Sequence, residues 1–295
     1  MIAGDACRQA GIAVRAARAD ASSLFYGTSR ARVKGMGIEY VDFREYSFSD
    51  DIRHVDWRLS ARTLRPDGEM RLMVKEYEAE RRVHVVFAVD ISPSMFFGSK
   101  IWSLIYAASF TAQLASRLED EVTLVVISDP PRIWWRVDPG LIPSLLRTLI
   151  CREGSSGEAS LASLASSIRR MRPEPRLMLF TDYDHRPEEA FMLAKTLRTL
   201  GSQGQAVLVY DRYEVEPPLD ENPLLALRSM EGGPPIYGFM ESLYESVRKH
   251  IGSVKAALAS GRMGVLSIGG KKVAVRAKAG LLSAYLRLRA RFRLY

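Results

Sequence analysis

No stretch constrains the fold of this chain more than residues 83–95. Val83, Val85, Val86, Phe87, Ala88 and Val89 form a short apolar run rich in β-branched side chains, interrupted only by His84. A run without polar alternation is the pattern of a central parallel strand covered on both faces. It ends at Asp90-Ile91-Ser92-Pro93-Ser94-Met95, where Pro93 stops strand pairing and turns the chain into a loop. One carboxylate and two hydroxyls therefore stand at the carboxyl end of a buried strand, the end at which open α/β sheets bind ligands. Asp-x-Ser-x-Ser offers hard oxygens within one loop, with room for water, and octahedral Mg2+ prefers such surroundings. As a bare pattern it is common, because Ser and Asp also cap turns and helices. Its context raises it. A helical pattern follows over residues 100–118, and a second strand ending in an acid, Leu177-Met178-Leu179-Phe180-Thr181-Asp182, comes downstream.

The chain of 295 residues is long enough to bury a core, and its 47% hydrophobic and 26% charged residues are those of an ordinary globular protein. No run approaches the roughly 20 apolar residues of a membrane span. Arg8, Arg15, Arg18 and Asp20 interrupt the N-terminal stretch, so it lacks the apolar core of a signal peptide. A cytoplasmic protein without a membrane span is expected. Cys7 and Cys151 show no metal-type spacing, and neither a zinc site nor a disulfide framework is expected. The net charge of +8 is concentrated at one end: nine Lys and Arg and no acid occur from Arg262 onward. The remainder is close to neutral, which argues against a basic body wrapped in nucleic acid. Binding of nucleic acid through the basic tail, with Arg287, Arg289, Arg291 and Arg293, stays as the alternative function.

Changes of texture divide the chain into an Ala- and Arg-rich helix or arm (1–22), a β-rich module (23–80), an α/β domain (81–260) and a basic hairpin and tail (261–295). Strands are expected over 121–127, 132–137, 176–181 and 205–210. Helices are expected over 141–150 and 187–200, the second stopped by Gly201. Residues 265–275 read as a hairpin turning at Gly269-Gly270. In the β-rich module, residues 33–40 read as strand, turn, strand. Beyond them Arg44, Asp50, Asp51, Arg53, Asp56, Arg58 and Arg62 alternate in sign around Trp57. Such clusters satisfy themselves more often than they catalyse, and Trp57 is expected as their buried anchor.

The order Arg-x-Tyr, Asp-Asp-x-Arg, Val-Asp-Trp, Ser-Ala-Arg, Lys-Glu-Tyr-Glu and Asp-x-Ser-x-Ser-Met resembles the domain-of-unknown-function family 58 (DUF 58), closely over residues 27–90 and more loosely to about residue 289. The resemblance implies an α/β fold of the von Willebrand factor A-like (Rossmann-like) kind, a mostly parallel sheet flanked by helices, with an N-terminal β-rich module. It also implies a metal-ion-dependent adhesion site (MIDAS), in which the two serines contact the ion and the two aspartates act largely through bound water. Carried onto this sequence, Asp90, Ser92, Ser94 and Asp182 would hold Mg2+ or Mn2+, and an acidic side chain of a protein ligand would complete the coordination. Family members are commonly encoded beside MoxR-type AAA+ ATPases, which makes such an ATPase the expected partner. The fold usually adds a threonine ligand after a glycine. Residues 154–160, Gly-Ser-Ser-Gly-Glu-Ala-Ser, contain none, so Ser156 is the first candidate for that place and Ser160 the second.

No Gly-x-Ser-x-Gly elbow, His-Glu-x-x-His pair or Gly-x-Gly-x-x-Gly loop occurs. His54, His84, His185 and His250 are scattered, and each reads as a singly satisfied side chain. A non-enzymatic, metal-dependent interaction module is the expectation.

Overall fold

The computed structural model describes residues 2–28, 40–47, 52, 55–63, 70–77, 82–172, 175–216, 224–227, 234–261 and 263–290. They form two compact units, Leu24–Arg82 and Met1–Ser23 with Val83–Tyr295. The chain opens with helix α1 (Ile2–Thr28).

The smaller unit holds strand β1 (Tyr40–Glu45), a one-turn helix α2 (Trp57–Ser60) and strand β2 (Met73–Tyr77), with β1 and β2 antiparallel. Asp56 caps α2: its Oδ1 accepts from the amides of Arg58 and Leu59 at 3.1 and 3.0 Å. Ser60 Oγ donates to the Asp56 carbonyl and accepts from the Met73 amide, both at 2.8 Å, which ties the helix to β2. Val55, Ser60 and Val74 point inward, whereas Trp57 is 55% exposed. The expected buried anchor is thus corrected. Trp57 follows the cap directly, and the single helical turn carries Ser60, not the indole, to the inside. Asp50, Asp51, Arg53 and residues 33–39 lie outside the described residues.

The larger unit continues with β3 (His84–Asp90), α3 (Lys100–Arg117), β4 (Glu121–Ile127), β5 (Arg132–Val137), α4 (Ile142–Arg152), α5 (Leu161–Arg170) and β6 (Arg176–Thr181). Then come α6 (Pro187–Thr199), β7 (Gly204–Tyr210), α7 (Arg212–Val215), β8 (Leu224–Leu227), β9 (Ile236–Phe239), α8 (Met240–Ser260), β10 (Gly264–Gly269), α9 (Gly270–Arg276) and α10 (Lys278–Arg289). Six strands form one sheet in the order β10-β7-β6-β3-β4-β5, parallel throughout except for the antiparallel edge strand β5. β8 and β9 make a separate antiparallel pair.

Val85 to Val89 of β3 are wholly buried, as a strand with neighbours on both edges and helices on both faces must be. Val86 and Ala88 join the cluster built with Leu164, Leu193, Leu197 and Leu258 from α5, α6 and α8. Phe87 faces the other way, with ring centroids 5.6 Å from Phe180 and 6.3 Å from Tyr285 of α10. On that side α3 is buried all round from Lys100 to Ala112, and Ala107, Ala108 and Ala112 let neighbouring helices approach closely.

The N-terminal stretch is a packed helix. Ala6, Ala10, Ala13, Val14, Ala17 and Ala21 are buried at helical spacing, and Asp20 accepts from Tyr106 of α3 (2.7 Å) and Lys278 of α10 (2.8 Å). A disulfide joins Cys7 of α1 to Cys151 of α4, with Cα atoms 4.7 Å apart. This corrects the expectation of two unconnected cysteines. The pair is separated by 144 positions, and sequence spacing carries no information about such an approach.

The expected hairpin over 265–275 is corrected as well. Residues 264–269 are the sixth strand of the main sheet, paired parallel with β7, and Gly270, at φ +67°, turns the chain into α9. A Gly-Gly pair after an apolar run suits a hairpin turn and a positive-φ turn into a right-handed helix alike. The Arg287/Arg289 alternation falls on α10 and splits: Arg287 is exposed, whereas Arg289 pairs with Asp120 at 3.0 Å. Arg291 and Arg293 lie outside the described residues. The result is an α/β fold, a mostly parallel sheet flanked by helices. Among the described residues no helix is long and apolar enough to cross a membrane.

Candidate functional site

From β3 the chain builds outward through β4 to β5, then returns to β6 on the other side of β3. The strand order reverses there, and the carboxyl ends of β3 and β6 open a crevice, the usual ligand position in such sheets. β3 delivers Asp90 and β6 delivers Thr181 and Asp182 to that point. Ser92 is extended, and Pro93 opens a 3-10 turn over Pro93–Phe96 that folds Ser94 back toward β6.

Asp90, Ser92, Ser94 and Asp182 are all buried. Ser92 Oγ lies 3.1 Å from Ser94 Oγ, and Ser94 Oγ donates to Asp182 Oδ2 at 2.8 Å. Asp90 Oδ1 accepts from the Ser92 amide at 2.8 Å and its Oδ2 accepts from Thr181 Oγ1 at 2.6 Å. Asp182 Oδ1 accepts from the Asp184 amide at 2.9 Å. Ser156 comes beside this loop through its backbone, donating to the Ile91 carbonyl at 2.9 Å. Its hydroxyl is directed to the Ile127 carbonyl, 3.2 Å away. Ser160 instead caps α5 by accepting from the Ser163 amide.

Two cationic groups complete the cluster. Lys100 Nζ bridges Asp182 Oδ2 (2.8 Å) and Glu214 Oε1 (2.5 Å) with its side chain 2% exposed. Burial works against its charge, but Asp182 and Glu214 outweigh burial and hold the ammonium above its ordinary pKa. His185 Nε2 stands 2.6 Å from Thr181 Oγ1 and 3.3 Å from Asp90 Oδ2. The Thr181 hydroxyl has one proton, which goes to Asp90, so it accepts from His185 and Nε2 carries a hydrogen. Burial opposes the imidazolium too. The hydrogen bond and charge of Asp90 prevail, raising the pKa of His185, while His185, Thr181 and the Ser92 amide hold Asp90 below the usual carboxylate range against its own desolvation. Asp90, Asp182 and His185 bring their ligand atoms within 4.8 Å of one another, but His185 could ligate a metal only by giving up the hydrogen that it donates to Thr181.

A family model described as "Protein of unknown function DUF58" matches residues 42–221, well over half of the chain. The chain belongs to the DUF58 family. The match contains the whole crevice, from Asp90 to Glu214, and ends before α8, β10, α9 and α10. An uncharacterised protein of Mycobacterium tuberculosis is 32% identical over 76 residues, 26% of this chain and 22% of that protein. One of Mycobacterium bovis matches to the same extent. The chain thus spans about a fifth of the length of these curated relatives. Among solved structures, the conserved hypothetical protein BatB from Bacteroides thetaiotaomicron is 19% identical, with 70% of this chain and 99% of that one covered at a TM-score of 0.38. The SpRpn10 VWA domain is 12% identical, with coverage of 68% and 94% and a TM-score of 0.40.

Sequence reasoning missed three members of the DUF58 crevice, Lys100, Thr181 and Glu214, and treated His185 as an isolated residue. One signal was present. A lysine in the first turn of a helix opposes the helix dipole, and Lys100 holds that place without an adjacent acid in sequence.

Proposed function

We propose that this DUF58 chain is a non-enzymatic protein-interaction module that uses Mg2+ or Mn2+ to capture an acidic side chain of a partner. The observation that carries this reading is the run of oxygens Ser92 Oγ, Ser94 Oγ and Asp182 Oδ2 at spacings of 3.1 and 2.8 Å. Oxygens about 2.1 Å from Mg2+ in an octahedron stand about 3.0 Å apart along its edges, so the Ser92 and Ser94 hydroxyls are spaced to occupy one such edge with Asp182 beside them. Ser92 and Ser94 would hold it directly, Asp90 and Asp182 would balance its charge, and Ser156 would need its hydroxyl to leave the Ile127 carbonyl to join them. When bound, the ion supplies an electrophilic position for a carboxylate of the partner. Thr181 and His185 keep Asp90 ionised and oriented, and Pro93 fixes the turn that aims Ser94.

Isothermal titration with Mg2+ and Mn2+ tests the reading. Binding heat in the wild type that vanishes in Ser92→Ala/Ser94→Ala supports it, and identical traces for the two overturn it. The family resemblance points to a MoxR-type AAA+ ATPase as partner, and co-purification that is lost on chelation is the expected result. A cytoplasmic location is part of the same proposal. The Cys7–Cys151 bond restricts it to a cytosol that tolerates disulfides, and alkylation of thiols in acid-quenched cells reads the pairing directly.

A further inference from the structure

We propose that Lys100 is the resident cation of this site and holds it against divalent ions, so that Mg2+ or Mn2+ must displace an ammonium that the fold has clamped in place. The inference rests on reading Ser92, Ser94 and Asp182 as a cation site and adds the residue that sets its affinity. Lys100 Nζ is bound to Asp182 Oδ2, the same oxygen that accepts from Ser94 Oγ. A divalent ion beside Ser94 would share that carboxylate with the ammonium, and two cations in one buried pocket repel each other.

The position of Lys100 is built. Ordering a long side chain against a helix dipole is unfavourable, and the fold offsets this with a brace from the segment after β7. Asp211 Oδ2 accepts from the amide and the hydroxyl of Ser99 at 2.9 and 2.8 Å, fixing the residue before Lys100. The Asp211 amide in turn donates to Glu214 Oε2 at 2.8 Å, so the carboxylate that holds Lys100 is itself oriented by the capping box of α7. Gly98, at φ +56°, lets this brace close, because a Cβ there would run into the Asp211 carboxylate. Three segments distant in sequence thus cooperate to seat one ammonium on Asp182.

Mn2+ titration followed by electron paramagnetic resonance of the free ion tests this on the full chain. Lys100→Met keeps the aliphatic stem and removes the charge, and it should bind Mn2+ about tenfold or more tightly than the wild type. Lys100→Met/Glu214→Gln carries the wild-type net charge at the site and should keep most of that gain, since the seat on Asp182 is free. Unchanged or weaker affinity in Lys100→Met overturns the proposal, as does an absence of Mn2+ binding in every variant. So does a return of the double variant to the wild-type value, which would reduce Lys100 to a matter of net charge. The cation-site reading fails separately if Ser92→Ala/Ser94→Ala leaves Mn2+ binding unchanged in both the wild-type and the Lys100→Met backgrounds. Should Lys100→Met misfold by circular dichroism, the double variant, which leaves no extra buried charge, carries the comparison alone.

Discussion

Two buried carboxylates stand at opposite ends of the central strands. At the amino ends, Asp120 accepts from the Val83 amide (3.1 Å) and Tyr285 Oη (2.7 Å) and pairs with Arg289 at 3.0 Å. Burial and the neighbouring Asp120 charge raise the Tyr285 pKa, so the hydroxyl stays a donor. At the carboxyl ends, Asp182 is reached by Ser94, Lys100 and the Asp184 amide, and behind Ser94 lies Ser92, whose hydroxyl meets only another hydroxyl in this chain of contacts. One cluster joins β3, β4 and α10 through an acid and fixed donors. The other strings exchangeable hydroxyls and a mobile type of side chain around its acids. The first arrangement suits a brace and the second suits a site whose partners can change, because hydroxyls rotate and can give up one partner for another.

The contrast can be broken most forcefully at the brace. Asp120→Ala leaves the Val83 amide and the Tyr285 phenol without their acceptor and the Arg289 guanidinium without its ion-pair partner, and should destabilise the chain by roughly 3–5 kcal/mol while leaving Mn2+ affinity unaltered. Urea denaturation beside metal titration measures both, and a loss of metal affinity would contradict the division between the two clusters.

Ser94→Ala comes next. Ser94 is buried and bonded, so the variant should cost about 1 kcal/mol of metal-free stability, the ordinary worth of one hydrogen bond. A loop hydroxyl outside the core would cost less. Loss of Mn2+ binding alongside that modest cost is the expected pattern, and a cost as large as that of Asp120→Ala would make the crevice a second brace.

Acid distinguishes the clamp behind Lys100. Asp211 lies below its ordinary value of 3.8 because the Ser99 amide and hydroxyl, the Tyr213 amide and Lys100 outweigh its burial. A carboxyl lowered by folding contributes stability above that ordinary value, and the contribution disappears as pH falls through the folded pKa. Asp211→Asn should therefore be less stable than the wild type at pH 7 and converge with it in acid. A stability difference independent of pH would show that the Asp211 charge does not matter.

The smallest effect is expected in the other unit. Trp57, exposed beside the Asp56 cap, should tolerate Trp57→Ala within about 0.5 kcal/mol, as surface positions do, by the same denaturation measurement. A loss of several kcal/mol would return it to the role of a buried anchor.

What could be read from the sequence was local. The apolar run of β3, the break at Pro93 and the acid ending β6 are statements about adjacent residues, and period and chain geometry decide them. They sufficed to place Asp90, Ser92, Ser94 and Asp182 at strand ends, and the motifs between Arg44 and Ser94 sufficed for the family. What the tertiary structure alone decided was pairing. Lys100 meets Asp182 and Glu214 across 82 and 114 positions, Cys7 meets Cys151 across 144, and Gly270 enters a helix because β10 has a parallel neighbour to join. A charge or a thiol carries no mark of its distant partner. The partner is chosen by the strand order and helix packing that bring the segments together, and these follow from burying the whole core at once.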